Sequence, residues 1–179
     1  MTRVLRWRSV ANFAVQLAVL SLLIAAFFMR MPQVSGLSME PQIHSGEYVL
    51  INTFAYRLRP PHRGDIVAFR HEGETRQVFI KRVVGLPGDH LRIDRGEVVL
   101  DGVPLREPYV RQPDERSVPE MTVPPQAVYV LGDNRANSED SRVFGPVGDD
   151  RLIGRAIAVI WPPRLLGMSV RAPIGAPIR

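Results

Sequence analysis

The sequence predicts a mainly β protein: one amino-terminal transmembrane helix, then an antiparallel β core with a smaller β insertion. Three observations predict it. A stretch of 20 residues without a charge runs from Val10 to Met29. Beyond it, no segment places its apolar residues at helical period, and short apolar runs are broken by Gly, Pro and Asp instead. The total of 179 residues suits one domain plus a short appendage.

The apolar stretch comes first. As a helix of that length it would span roughly 30 Å, the hydrocarbon thickness of a bilayer. Asn12, Gln16 and Ser21 are its only polar members. Arg3, Arg6 and Arg8 precede it and only Arg30 follows closely, which puts the amino terminus in the cytoplasm and the chain after Met31 outside. A cleaved secretory signal starts in the same way, but it carries a shorter apolar region of roughly 7–15 residues and a small-x-small site. Here the run exits through Phe27-Phe28-Met29-Arg30-Met31-Pro32. A buried core helix would show polar residues on one face. Residues 1–30 therefore read as cytoplasmic terminus and anchor in the cell membrane, and residues 31–162 as one extracytoplasmic domain.

Within that domain the candidate strands are Glu47–Phe54, Asp65–Arg70, Gln77–Val84, His90–Asp94, Glu97–Leu100, Ala127–Leu131 and Leu152–Trp161. Val49–Tyr56 reads as core, with contact to lipid the alternative. Asp94-Arg95-Gly96 and Asp101-Gly102 are turn sequences flanking a strand, so residues 89–106 read as a hairpin or meander. Arg111–Pro125, with four Pro, reads as an exposed excursion, and one short helix is expected near Ser138–Ser141. Residues 163–179 read as a flexible tail.

Composition narrows the chemistry. There is no Cys, which excludes disulfides and thiolate metal sites. His44, His62, His71 and His90 are scattered without metal-ligand spacing, so neither metal nor cofactor is expected. Of the formal charge of +5, Arg3, Arg6, Arg8 and Arg30 supply +4, and no acid precedes Glu40. The remainder is nearly balanced, so nucleic acid is not an expected partner.

Three segments carry the candidate site. Of 23 Lys and Arg, 22 are Arg and the only Lys is Lys81, within Phe79-Ile80-Lys81-Arg82-Val83-Val84-Gly85. Arg keeps its proton in a protein, whereas a desolvated Lys amine can lose it, so a lone Lys in an apolar run is a candidate general base. In an Arg-biased chain it is equally a chance leftover. Ser38, in Ser35-Gly36-Leu37-Ser38-Met39-Glu40-Pro41, lies on a turn, with Pro41 disfavouring helical geometry at Glu40. An isolated Ser there is ordinarily a linker residue. The third segment, Gly132–Arg142, places two Asp, two Asn, two Ser and two Arg in eleven residues after an apolar strand. That composition suits a solvated loop or a hydrogen-bonded site wall.

Together these segments resemble the signature boxes of the bacterial type I signal peptidases, membrane-bound Ser–Lys proteases. The boxes are SMxP around Ser38, RGDIVAF at Arg63–Phe69, KRVVGLPGD at Lys81–Asp89 and GDNRANSEDSR at Gly132–Arg142. They occur in the family's order, and the resemblance spans roughly residues 7–161. It implies Ser38 as nucleophile, Lys81 as general base and Ser138 as the group that hydrogen-bonds and orients the Lys amine. It implies Asp140 and Arg142 as a supporting ion pair, Met39 in the substrate groove, and a β insertion at about residues 90–125. The substrates implied are signal peptides of exported preproteins with small residues at the −1 and −3 positions. Membrane lipid and the nearby export translocon are the implied surroundings. Two positions depart from the pattern. Gly36 stands where many members carry a Ser that helps bind the oxyanion, leaving the Ser38 backbone N–H to serve with another donor. Gln42 stands where Thr is common, with a local effect expected.

Such an enzyme needs its Lys neutral, which burial achieves, so that the amine can take the Ser proton. Two other Ser–Lys readings fit less of the sequence. Self-cleaving repressors carry a DNA-binding domain where this chain has an apolar stretch, and a pilin-maturing peptidase differs in substrate alone. A non-catalytic tethered β domain is the reading from another class, and Ser38, Lys81 and Ser138 all being present weighs against it.

Overall fold

The computed structural model describes residues 2–71 and 77–161. The expected tail lies outside them. The uncharged stretch is helical within α1 (Thr2–Phe27), and the side chains of Val10–Leu23 are exposed. Among the described residues no helix is long and apolar enough to cross a membrane, so the spanning role expected of Val10–Met29 rests on its sequence alone.

Among the described residues eleven strands follow: β1 (Met29–Arg30), β2 (Tyr48–Asn52), β3 (Ile66–Arg70), β4 (Val78–Gly85), β5 (His90–Asp94), β6 (Glu97–Leu100), β7 (Val103–Pro104), β8 (Val118–Thr122), β9 (Ala127–Leu131), β10 (Val147–Gly148) and β11 (Leu152–Trp161). They form two sheets, of order β1-β2-β11-β3-β4-β9-β10 and β7-β6-β5-β8, with every strand pair antiparallel. The mainly antiparallel β expectation is met. The chain leaves the large sheet after β4, builds the small sheet, and returns as β9 beside β4.

Period-two alternation divides the core. On β3, Ile66 and Ala68 pack with Val49, Ile51, Ile80, Met39 and Ala156, while Val67 and Phe69 pack with Val83, Val128, Val130 and Val147. A third cluster, including Val84, Leu91, Val98, Tyr129 and Leu131, joins the two sheets. Central β4 has both faces covered, so its side chains from Ile80 to Val84 are all buried.

Three features depart from the sequence reading. Residues expected to form only an exposed excursion include β8, which pairs with β5. Pro119 is tolerated because β8 is an edge strand. A short helix, α2 (Ala55–Leu58), follows β2 directly. The helix expected near Ser138–Ser141 is α3 (Ser141–Phe144), displaced because Asp140 caps it by accepting the Arg142 backbone N–H.

Candidate active site

Three segments distant in sequence converge on one groove. Ser38 lies on a turn between Val34 and Glu47, where the Val34 N–H donates to Glu47 O and the Gly46 N–H donates to Val34 O. Gly36 sits at φ +107°, a left-handed conformation that a side chain would strain, which accounts for Gly at this position. The third segment holds the turn from the other side. The Asn134 backbone N–H donates to Ser38 O at 3.0 Å, and its side-chain amide donates to Leu37 O at 3.2 Å. The Ser38 N–H itself is absent from every hydrogen bond among the described residues, so it is available to a ligand.

Lys81 comes from the middle of β4 and is 4% exposed. Its Nζ donates to Ser38 Oγ at 2.7 Å and lies 5.7 Å from the centre of the Phe79 ring. No carboxylate pairs with it among the described residues. Burial lowers its pKa to about 8; Asp140 and Glu139 pull it back up, and Arg142 assists the lowering. A serine hydroxyl within hydrogen-bond reach of an amine that ionises near neutrality is the geometry of a nucleophile beside its base.

The wall behind them is Gly132–Arg142. Asp140 is fully buried and accepts from the Gly132 N–H at 3.0 Å and from Arg142 Nε and Nη2 at 2.8 and 2.7 Å. Burial raises the Asp140 pKa, but the Arg142 hydrogen bonds and charge, with the Gly132 N–H, outweigh it and leave the carboxyl below its ordinary range. Ser138 is buried beside Gly132, whose missing side chain makes the space. A Cβ there would stand 2.2 Å from Ser138 Oγ and 2.6 Å from Ser38 O. The hydrogen bond expected from Ser138 to Lys81 is not formed. Ser138 Oγ has no partner at hydrogen-bond geometry, although it lies near enough to the Asp140 carboxylate to help lower its pKa. Met39 is 2% exposed and lies at the junction of the first core cluster and the groove.

The groove has a volume of about 450 Å³. It is lined by residues 32–39 and 77–81, together with Asn137 and Glu139. The lining mixes apolar side chains (Val34, Leu37, Met39, Val78, Phe79, Ile80) with polar groups and carries few charges, which suits an extended peptide with small side chains.

Several residues of the site were not singled out from the sequence. Asn134 clamps the Ser38 turn, as above. Arg82 forms a two-pronged pair with Asp133, at 2.8 and 2.6 Å, and lies 4.1 Å from the Tyr109 ring. Arg135 reaches Glu107 at 2.5 Å, and Arg142 reaches Asp114 at 2.5 Å. Their boxes were visible, but partners 28 to 97 residues away were not. Among the described residues no group of His, Asp and Glu is arranged to hold a metal ion.

Comparison with known proteins gives the family. Residues 7–161 match the family described as signal peptidase, peptidase S26. A probable signal peptidase I-2 of Synechocystis sp. is 35% identical over 167 residues, 90% of this chain and 77% of that protein. A signal peptidase I of Leptolyngbya laminosa is 36% identical over 156 residues, 83% of this chain and 77% of that protein. A crystal structure of a signal peptidase I from Enterococcus faecalis is 31% identical with a TM-score of 0.46, over 54% of this chain and 97% of that one. The matched span includes every segment of the site, and the chain belongs to the signal peptidase family, peptidase S26, as a proteolytic enzyme.

Proposed function

We propose that the protein is a membrane-anchored serine endopeptidase that removes amino-terminal signal peptides from exported preproteins, with Ser38 as nucleophile and Lys81 as general base. The observation that carries this is the 2.7 Å contact between Lys81 Nζ and Ser38 Oγ, made by a buried amine lining a peptide-sized groove.

Once Lys81 is neutral, the polarity of that hydrogen bond reverses and the hydroxyl donates to the amine lone pair. Lys81 takes the proton as Ser38 Oγ bonds to the scissile carbonyl carbon. The Ser38 N–H faces the developing oxyanion. Collapse breaks the C–N bond, and the Lys81 ammonium returns its proton to the leaving amine. A water then attacks the acyl-enzyme with Lys81 again as base, releasing the signal peptide and restoring Ser38. Asp140 and Arg142 brace the wall against which this occurs, with Ser138 packed between wall and nucleophile. Met39 shapes the groove floor.

The anchor is Val10–Met29, in which the side chains of Val10–Leu23, apolar apart from Asn12, Gln16 and Ser21, face solvent. Lipid is the medium such a face requires. The amino terminus stays in the cytoplasm and the β domain lies outside, close to the membrane and to the translocon that delivers substrate. Because only β1 and Met31 separate the anchor from Pro32, the Pro32 part of the groove lies near the membrane surface. A signal peptide enters there and its last residues lie along the walls, reaching the dyad at Ser38.

The test is processing of a preprotein by the detergent-solubilised chain beside Lys81→Arg and Ser38→Ala. Arg keeps the charge but cannot act as base, so loss of cleavage by roughly 10²–10⁴-fold is expected of a folded variant. Equal cleavage by parent and Lys81→Arg would remove Lys81 from the mechanism.

A further inference from the structure

The groove is electrically lopsided. Of the described residues lining it, only Lys81 and Glu139 carry charge. Lys81 is buried and committed to Ser38. Glu139 is exposed, and no hydrogen bond or ion pair among the described residues engages its carboxylate. Its neighbours in the wall are already occupied: Asn137 donates to Gln112 and Asn134 side chains, and Asp140 is held by Arg142. An unpaired carboxylate is thus presented to a groove whose one other charged lining residue among those described is the buried Lys81.

Position decides what that carboxylate meets. Ser38 and Lys81 stand near the carboxyl ends of the two lining segments, and Glu139 lines the same groove close enough to act on the Lys81 amine by its charge. With residues 32–39 and 77–81 lining the part of a peptide before its scissile bond, as proposed above, Glu139 is the acidic group within reach of the residues that follow that bond. We infer that Glu139 is a specificity-determining residue for the leaving side of the substrate: it favours a Lys or Arg just after the scissile bond and disfavours Asp or Glu there. The inference rests on the proposed function and deepens it by naming the charge preference of the mature chain's first residues.

Glu139 also faces the Lys81 amine and favours its charged form. A cationic substrate residue drawn to Glu139 offsets that influence as it binds. Recognition and activation of the base therefore share one side chain.

The experiment uses the full-length detergent-solubilised enzyme and three peptides identical except for Lys, Gln or Glu immediately after the cleavage site. Cleavage is measured at pH 9, where Lys81 is largely neutral while a substrate Lys stays charged. The parent should show kcat/KM about five-fold higher for the Lys peptide than for the Glu peptide at low ionic strength, falling toward about two-fold at 1 M salt. Glu139→Gln should flatten the series, and Glu139→Lys should invert it. The quantity read is the ratio between peptides within each enzyme, which a general loss of structure or of catalysis leaves unchanged. Cleavage of all three peptides with the same ratio in parent and variants overturns the role of Glu139 and leaves the peptidase reading standing. Failure of the parent to cleave any of them overturns that reading, and the inference with it.

Discussion

Lys81 and Arg82 are adjacent on β4, equally buried at 4% and 3% exposure, and have opposite surroundings. Arg82 points toward Asp133, which meets its guanidinium with both oxygens; its third nitrogen, Nη1, donates to Gly64 O at 3.1 Å, and the Tyr109 ring covers its face. Lys81 points the other way, toward a hydroxyl and an aromatic ring, with no carboxylate against it among the described residues. One cation is fully satisfied and its charge is fixed. The other is under-satisfied, and its charge is therefore negotiable. Burial alone does not make a base; burial without a partner does.

The largest effect should come from breaking the satisfied member. Arg82→Met leaves Asp133 buried without its hydrogen-bonded partner, with the charge of Arg135 still favouring its ionised form, and removal of one partner from such a pair costs about 3–5 kcal/mol. Urea denaturation of the solubilised protein should show that loss, and Arg82→Met with Asp133→Leu together should recover most of it. A double variant no more stable than the single one would mean that the pair is not the coupled unit its geometry describes.

The same substitution next door should have the opposite sign. At pH 7 the folded protein carries a charged Lys81 in an apolar setting, so Lys81→Met should raise stability by about 1–3 kcal/mol while abolishing cleavage. The sign depends on pH. The folded pKa, about 8, lies below the ordinary 10.5, so the penalty is complete below pH 8. Between these values the folded state has released a proton that the unfolded state still holds, and parental stability rises with pH. The advantage of Lys81→Met should therefore shrink as pH climbs from 8 to 10.5. Parental kcat/KM should rise through pH 8 and then level. Destabilisation by Lys81→Met at pH 7 would contradict the contrast between the two cations.

The two cations were not equally legible in the sequence. Lys81 was conspicuous because every other basic residue is Arg, and the strand around it could be read from its apolar run. Ser38 and the Gly132–Arg142 segment were recognisable as boxes, and their convergence on Lys81 is a product of sheet topology that composition does not encode. Arg82 looked like one more Arg, since its partner lies 51 residues away across the β4–β9 pair. Strand β8 was hidden because Pro119 reads as a breaker unless its edge position is known. Gly36 illustrates the reverse: it looked like a missing oxyanion donor, and its positive φ shows a backbone requirement that a Ser would strain.

Arg142 sharpens the contrast at the smallest scale. It is 2% exposed and held by two carboxylates, Asp140 from its own segment and Asp114 from the Pro-rich excursion. Asp114 also takes Arg116, and the Arg135 carbonyl accepts from both Arg116 and Arg142, so the excursion is strapped across the back of the site wall. If partners fix a buried cation, a cation with two should survive the loss of one. Asp114→Asn should therefore cost only about 1–2 kcal/mol, less than Arg82→Met, because Arg142 keeps both hydrogen bonds to Asp140. Cleavage should fall by a few-fold at saturating substrate with KM little changed, since the strap braces the wall beside the dyad rather than the peptide. Arg116→Gln supplies the control, because Arg116 is 44% exposed and its pair with Asp114 contributes about 0–1 kcal/mol. A loss from Asp114→Asn as large as that from Arg82→Met would mean that the excursion, and not Asp140, is the principal restraint on Arg142.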